Sequence, residues 1–442
     1  MNIYALSSGN GPSGIAIIRL SGSSVKKIST LITKQKKLNA REINLCKFYN
    51  PADNTIIDKG LLMWFPGPNS FTGEDLAEFH IHGSNAVIAI FLKVLSKQDN
   101  CRIAEPGEFT KIAFQNNKID LVEAESIGDL IHSETELQRQ QAVRLLQGSA
   151  SDYYNNLRER LIKSLAYIEA KIDFAEEDLP ESVLKNAYSS ISKVRTEIKK
   201  LLEDNKIGEK IRNGFHVSIV GEVNAGKSSL LNLLSKRDVA IVSEEEGTTR
   251  DIIEVYLNID GYPIILADTA GIRDAKNDVE KKGISLAINK SINSDLNIIM
   301  IDNSTHKVDL KIRNLITKDS IVVYNKSDIK DLKSHELGEQ DNIIVSVKEN
   351  KNIDELVKKI KKKLSTKFIK TEDVLITRER HREKLNACLK ELDKFLSKNQ
   401  NEDIEIAAED LRLATRHLGA IVGKVDVEEI LGSIFKEFCI GK

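Results

Sequence analysis

One run of residues constrains this chain more than any other: Gly221-Glu-Val-Asn-Ala-Gly-Lys-Ser228. It reads G-x-x-x-x-G-K-S, the pattern of a loop that cradles phosphates. The run before it, Phe215-His-Val-Ser-Ile-Val220, is apolar and β-branched and reads as a buried strand. The run after it, Ser229-Leu-Leu-Asn-Leu-Leu234, reads as a helix. A strand, a glycine turn and a helix form the context the motif requires. Such a turn aims successive backbone N–H groups at an anion, and the helix N-terminus adds partial positive charge. Lys227 is placed to reach the β- and γ-phosphates, and Ser228 to ligate Mg²⁺.

Further pieces follow in order. Gly247-Thr-Thr-Arg-Asp251 holds threonines suited to a loop that closes on a γ-phosphate and Mg²⁺. Tyr262-Pro-Ile-Ile-Leu-Ala267 reads as a strand ending in Asp268-Thr-Ala-Gly271, so Asp268 faces the Mg²⁺ outer shell and the Gly271 amide faces the γ-phosphate. Ser320-Ile-Val-Val-Tyr324 leads into Asn325-Lys-Ser-Asp328. A carboxylate there accepts from both N–H groups of guanine's pairing edge, whereas adenine leaves it unpaired. Ser346-Val-Lys348 closes the base pocket. These pieces, each at a strand end, predict a GTP hydrolase.

Two absences shape the expected chemistry. The residue after Asp-Thr-Ala-Gly is Ile272, which cannot position water as a glutamine does, and no arginine finger is identifiable. Asp274, Asp278 and Glu280 are the acidic candidates to orient that water. An oxygen of Asn224, with backbone carbonyls of the loop before Gly247, is able to hold a monovalent cation where an arginine finger would reach.

With 442 residues, the chain is expected to form two or three domains. Its net charge of −1 gives no global attraction to nucleic acid or membrane, which leaves a local RNA-binding patch open. Cys46, Cys101, Cys388 and Cys439 form no C-x-x-C pair, which points to a reducing compartment and a cytoplasmic setting. No apolar run reaches the ~18 residues of a membrane span, and the first residues do not read as a signal peptide.

Residues 1–118 read as strands and turns with a helix or two. Ile15–Leu20, Gly60–Phe65 and the alternating Glu78–His82 are strand candidates, and Ser84–Lys97 is a helix candidate. Arg19 inside an apolar strand needs a partner, either a carboxylate or an anionic ligand. His80 and His82 share one strand face; a metal pair competes there with an ordinary polar sheet face, and no third ligand is visible. From Ile119 the texture becomes helical, with stripes at Leu157, Leu161, Leu165, Ile168 and Ile172, and again at Leu385, Leu389, Leu392 and Leu396. Two helical blocks, 119–211 and 376–442, flank the nucleotide-binding segment 212–375, so one helical domain interrupted by an insertion is expected in preference to two small bundles. The lysines of Lys358–Lys363 read as the wet face of a helix whose apolar stripe is Leu356, Ile360 and Leu364.

Several runs are more particular than the nucleotide motifs: Gly14-Ile-Ala-Ile-Ile-Arg-Leu-Ser-Gly22, Phe65-Pro-Gly-Pro-Asn-Ser-Phe-Thr-Gly-Glu-Asp75, Ala104-Glu-Pro-Gly-Glu-Phe-Thr110, Asp120-Leu-Val-Glu-Ala-Glu125 and Phe438-Cys-Ile-Gly-Lys442. With the phosphate loop and Gly247-Thr-Thr-Arg-Asp251, they resemble the MnmE (TrmE) family of tRNA-modification GTPases from end to end. The resemblance implies a β-rich α+β N-terminal domain (1–118) that binds tetrahydrofolate and dimerises. It implies a helical domain in two parts and an inserted Ras-like α/β GTPase domain, with a mostly parallel sheet and helices on both faces. It also implies a heterotetramer with a flavin-containing partner, MnmG (GidA), the FAD being on that partner. Together they would modify carbon 5 of the wobble uridine of certain tRNAs to aminomethyl or carboxymethylaminomethyl derivatives. A 5-formyl- or 5,10-methylene-tetrahydrofolate would supply the one-carbon unit, and hydrolysis would depend on K⁺ and Mg²⁺.

Carried onto this chain, Asn224, Ser243, Glu245 and Thr248 match positions that hold K⁺, and Ser228 and Thr249 match the Mg²⁺ ligands. Glu280 matches the glutamate that orients water. GTP would also lie against Ala225, Gly226, Lys227, Ser229, Glu244, Glu246, Gly247, Thr269, Ala270, Gly271, Asn325, Lys326, Asp328, Ser346, Val347 and Lys348, beside Asp268. Arg19, Glu78, Lys118 and Lys442 match folate positions, which offers Arg19 an anionic ligand or Glu78. Cys439 matches a family cysteine proposed as catalytic, the alternative being a structural place beside the folate. Two departures stand out. The cation loop, Ser243-Glu-Glu-Glu246, is more acidic than the commoner pattern, and Ser-Val-Lys348 replaces Ser-Ala-Lys. The rival class is a ribosome-assembly GTPase whose flanking domains bind rRNA, but it leaves Arg19, Phe65–Asp75 and the Cys-Ile-Gly-Lys run unexplained.

Overall fold

The computed structural model describes the chain except residues 10, 174–180, 223, 238–239, 242–253, 269–290, 305–309, 330–340, 369–373, 399–403, 426–427 and 437. The chain divides into two compact units. The first comprises residues 1–128, 145–190 and 394–442; the second comprises 129–144 and 191–393.

The first unit holds a six-stranded sheet built from β1 (Asn2–Leu6), β2 (Ser13–Ser21), β3 (Asn44–Tyr49), β4 (Ile56–Phe65), β5 (Leu76–Gly83) and β6 (Cys101–Ile103), in the order β3-β4-β5-β2-β1-β6. Only the β1–β6 pair is parallel. Period-two alternation decides what each face does. Ala16, Ile18 and Leu20 of β2 join Phe79 and Ile81 of β5 in a core with Ile28, Ile32 and Phe91 of the helices Val25–Thr33 and Asn85–Ser96. Phe48, Phe79 and Phe91 lie with ring centroids 5.0–5.8 Å apart. The second of these helices starts where the sequence expects: Ser84 caps it, its Oγ accepting from Val87 N at 3.2 Å. The intervening positions, Ile17 and Arg19 among them, face the other side.

The long helices Ser149–Asp173 and Ile404–Val422 pack along one another. They bury Leu157, Leu161 and Ile168 from one, and Leu411, Ala414 and Leu418 from the other. In helix Glu379–Ser397 the expected stripe is displaced. Leu385, Cys388, Leu392 and Phe395 are buried, whereas Leu389 and Leu396 flank them half-buried. A thiol packs as a small hydrophobe, so Cys388 completes the three–four spacing.

The second unit is an α/β layer built from β7 (Phe215–Gly221), β8 (Ala240–Ile241), β9 (Glu254–Ile259), β10 (Tyr262–Asp268), β11 (Leu296–Asp302), β12 (Ser320–Asn325) and β13 (Asn342–Ile344). Their order is β13-β12-β11-β7-β10-β9-β8, parallel from β13 to β10, with β9 and β8 antiparallel at one edge. β7, β11 and β12 are almost wholly buried, which is why they read as continuous apolar runs. One face packs on helices Lys227–Arg237 and Ile353–Phe368, and the other on Ile312, Leu315 and Ile316. In Ile353–Phe368 the apolar stripe Leu356, Ile360 and Leu364 is buried as expected. Lys361 pairs with Asp260, and Lys363 with Asp341 at 2.8 Å, so these lysines line a solvated face. None of the described helices is long and apolar enough to cross a membrane.

Candidate functional site

The phosphate loop springs from the C-terminal end of β7, the central strand. Asn224 and Gly226 take positive φ, +64° and +99°. A left-handed backbone costs an ordinary side chain about 1–2 kcal/mol, and asparagine and glycine bear it most easily. Space forces the second choice as well: a Cβ on Gly226 would lie 2.2 Å from Asn325 Nδ2. Ala225 is fully buried. Lys227 opens its helix, and its Nζ donates to the carbonyls of Gly221 and Glu222 at 2.9 and 2.8 Å, arching over the loop. Ser228 and Ser229 lie exposed in the first turn.

The base side of the site is tied to this loop. Asn325, at the end of β12, donates from Nδ2 to Ala225 O at 2.8 Å and accepts at Oδ1 from Val347 N at 3.1 Å. Lys326 adopts φ +68°, and its Nζ reaches Asp302 Oδ2 at 2.6 Å. Burial disfavours the charged Asp302, but Lys326 and Ser304 outweigh it and hold its pKa below the ordinary carboxylate value. Asp328 accepts from Ser346 Oγ at 2.7 Å, and that bond likewise lowers its pKa. A carboxylate kept ionised and fixed in direction is what recognition of guanine's two N–H groups requires. Ser346 and Val347 are buried, and Lys348 is exposed. Asp268 ends β10, its backbone in register with Ile219; its side chain lies outside the described residues, as do Ser243, Glu244, Glu245, Glu246, Gly247, Thr248, Thr249, Thr269, Ala270, Gly271 and Glu280.

A second constellation gathers in the first unit, around Arg19. The β2–β5 register sets Arg19 opposite Glu78, whose Oε1 accepts from Arg19 Nε at 3.2 Å and Nη2 at 2.8 Å. Of the two partners open to Arg19, the structure supplies the carboxylate. Arg19 Cζ also lies 5.5 Å from the Phe71 ring centroid and 5.7 Å from that of Phe109. These aromatic rings escape a reading by spacing because each sits in a different motif. The motif loops are bound to one another: Ser21 Oγ meets Thr72 Oγ1 at 2.8 Å, and Asn116 Nδ2 donates to Thr72 O at 2.7 Å. Lys118 is exposed beside Gly73, where a Cβ would lie 3.3 Å from Lys118 Cδ.

Residues 439–442 return to this place. Ile440 forms an isolated bridge with Pro106. Gly107 N donates to Cys439 O at 3.4 Å, Phe109 N to Lys442 O at 3.2 Å, and Ser7 Oγ to Gly441 O at 2.8 Å. Gly441 has φ +97°, and a Cβ there would stand 2.1 Å from Leu6 O. Cys439 is exposed, while Cys46 and Cys388 are buried. His80 and His82 do share a face, but His82 Nδ1 pairs with Asp58 Oδ1 at 2.8 Å. His80 Nε2 is a buried atom without a hydrogen-bond partner, 3.7 Å from Glu78 Oε2. No group of three metal-ligating side chains occurs among the described residues.

A parallel sheet with a phosphate loop on its central strand, and Asn-Lys-Ser-Asp with a supporting serine two strands away, defines a guanine-nucleotide-binding P-loop protein. The comparisons narrow this. The family model for the TrmE N-terminus matches residues 2–118, and that for the MnmE helical domain matches 121–439. The tRNA modification GTPase MnmE of Pelagibacter ubique is 57% identical over 446 residues, covering 100% of both chains. Those of Parvibaculum lavamentivorans and Rickettsia bellii are each 43% identical, covering 100% of this chain and 99% of theirs. The chain belongs to the MnmE family of tRNA modification GTPases.

Proposed function

We propose that this chain is a potassium-activated GTPase. It acts as a homodimer with a flavoprotein partner of the MnmG type, in a heterotetramer, to modify carbon 5 of the wobble uridine of certain tRNAs. The observation that carries this reading is the Arg19 constellation. Glu78, Phe71 and Phe109, from segments far apart in sequence, meet one arginine, and the 439–442 segment bonds to Gly107 and Phe109 beside them, in a chain that also carries a phosphate loop and Asn325–Asp328. Domain limits of 1–118, 119–211, 212–375 and 376–442 accompany the proposal.

In the nucleotide site, Lys227 exchanges its loop carbonyls for the β- and γ-phosphates, Ser228 and Thr249 hold Mg²⁺, and Asp328 accepts from the base. Asn224, with Ser243, Glu245 and Thr248, holds K⁺, which supplies positive charge where the γ-phosphate develops negative charge. Glu280 orients the attacking water. These loop residues enter from the sequence alone.

At the second site, the orphaned His80 Nε2, the Glu78 carboxylate, exposed Lys118 and the Lys442 segment suit a ligand with a donor edge and an anionic tail. This is the chemistry of a tetrahydrofolate derivative. When bound, that group would supply the one-carbon unit. The chain's own residues bind its edge at Glu78 and its acidic end at the lysines, and Cys439 sits exposed beside it.

The test is steady-state GTP hydrolysis in KCl and in NaCl at equal ionic strength. Stimulation by potassium that is lost in Asn224→Ala and Glu280→Ala supports the reading. Equal rates in both salts overturn the cation mechanism and favour a conventional switch or a ribosome-assembly GTPase.

A further inference from the structure

A net charge of −1 gives this chain no general pull towards a polyanion, yet its basic residues are unevenly spread. Between Gly22 and Asn50 stand seven lysines and arginines and one acid, Glu42. The stretch belongs to the first unit, and all seven are exposed. Lys26 and Lys27 lie on helix Val25–Thr33, Lys36 and Lys37 in the loop after it, and Lys47 on the edge strand β3.

None of the seven has an ion-pair partner among the described residues. The nearby acids are engaged elsewhere. Glu42 Oε2 accepts from Asn39 Nδ2 at 2.7 Å, Asp53 Oδ1 accepts from Thr55 N at 3.0 Å, and Asp58 Oδ1 meets His82 Nδ1 at 2.8 Å. Two of the lysines rest on aromatic rings instead. Lys26 Nζ lies 4.5 Å from the Trp64 ring centroid, and Lys34 Nζ 4.1 Å from that of Tyr49. A ring face fixes an ammonium group without cancelling its charge, so the charge stays available to an anion.

Ordinary structural reasons cover part of this pattern. Lysines keep an edge strand such as β3 from pairing, and Lys34 suits the C-terminus of its helix. Other positions run against stability. Lys47 and Lys59 stand directly opposite each other in the β3–β4 register, both exposed, and like charges so placed repel. Lys34 and Arg41 have φ +58° and +61°, the left-handed region where glycine or asparagine is the easier residue. Cations held at a cost, with their charge uncancelled, require an anionic partner.

The place of the surface narrows that partner. Arg41 N donates to Trp64 O at 2.8 Å, and Arg41 Nη2 donates to Asn69 O. Asn69 belongs to the Phe65–Asp75 run, whose Phe71 stands against Arg19. The basic surface therefore adjoins the second site, where a tRNA is the polyanionic substrate of the proposed function. We infer that helix Val25–Thr33, the loop after it and the β3–β4 edge bind the phosphate backbone of that RNA. The inference rests on the proposed function only in taking the RNA to be a tRNA.

The test is binding of total tRNA by the full-length chain, followed by filter retention over a series of KCl concentrations. Two double variants remove charge from separate parts of the surface, Lys26→Gln with Lys34→Gln, and Lys36→Gln with Lys37→Gln. Lys358→Gln with Lys362→Gln removes the same charge from exposed lysines of the second unit. Each first-unit variant is expected to bind about tenfold more weakly or worse at about 0.1 M KCl. Its plot of log affinity against log salt becomes shallower by about 1.5, from two phosphates at roughly 0.7–0.9 each. The second-unit variant stays within about twofold of the wild type. Lys36→Arg with Lys37→Arg keeps the charge and the binding, which separates loss of contact from loss of fold. Wild-type affinity and slope in both first-unit variants overturn the inference and leave an ordinary solvated face. An equal loss in the second-unit variant overturns it as well, because net charge alone would then be at work. So does a wild type that retains no tRNA at low salt. Adsorption to vesicles of acidic phospholipid that the first-unit variants lose, with tRNA affinity intact, assigns the surface to a membrane instead. Hydrolysis that ignores potassium sinks the proposed cation mechanism but leaves these affinities to be read.

Discussion

Replacing Asn325 with alanine separates what the nucleotide contributes from what the protein contributes to its own site. Asn325 is 3% exposed and makes two hydrogen bonds, to Ala225 O and from Val347 N. Its removal strands both backbone groups, at about 1–3 kcal/mol each. Ala225 is fully buried, whereas Val347 is 9% exposed, so water relieves part of the second loss and about 2–4 kcal/mol is expected. The bridge joins the loop that grips phosphate to the loop that grips the base. In the nucleotide-free variant these loops are expected to part and let water in, and the nucleotide must bring them together again. The loss therefore appears as weaker binding, roughly 30- to 1000-fold at 1.4 kcal/mol per decade. Titration with a fluorescent GDP analogue measures it directly. A loss under about fivefold, with an unchanged melting temperature, would refute the reasoning, because neither orphaned group would then carry the expected cost.

Arg382, 7% exposed, bonds both carboxylate oxygens of Glu209, at 3.0 and 2.8 Å, and Asp204 at 2.7 Å. Arg382→Ala is expected to cost about 3–5 kcal/mol by leaving buried charge uncompensated, read as a lowered urea midpoint. The folded pKa of Asp302 lies below its ordinary value, so the stability this group contributes is whole above about pH 4 and is lost as pH falls through the folded value. Asp302→Asn should accordingly lower stability at pH 7 and flatten that part of the acid-unfolding curve. Gly441→Ala meets both a left-handed backbone and the Leu6 carbonyl, so the Cys439–Lys442 segment should detach. Weaker tetrahydrofolate binding at unchanged GTP affinity would register this, and intact binding would refute it.

Local patterns in the sequence carry much of the fold. The apolar runs of β7, β10 and β12 and the stripe Leu356–Ile360–Leu364 are legible because helical and strand periods are properties of neighbours; of the stripe expected at Leu157, Leu161, Leu165, Ile168 and Ile172, Leu165 and Ile172 are only half-buried, and Ser164 is buried instead. Leu389 and Leu396 misread the buried stripe of their helix because a cysteine and a phenylalanine occupy the deeper positions. The phosphate loop and Asn325–Asp328 are legible because their chemistry tolerates few alternatives. The partner of Arg19 is legible only as a choice, since it depends on β2 pairing with β5 rather than on any spacing. The approach of Phe71 and Phe109 to that arginine, and the bond from Arg378 Nη2 to Asp129 Oδ1 across 249 positions, are set by tertiary packing and leave no periodic trace.

The bond from Ser7 Oγ to Gly441 O joins residues 434 positions apart. During synthesis at about 5–20 residues per second, roughly 20–90 seconds pass between the appearance of the two. The first sheet has all of its strands early in that interval, so Arg19 and Glu78 are paired long before their surroundings are complete. An unfinished chain can thus be well folded at its first sheet and still lack the Cys439–Lys442 segment that completes the surroundings of Arg19.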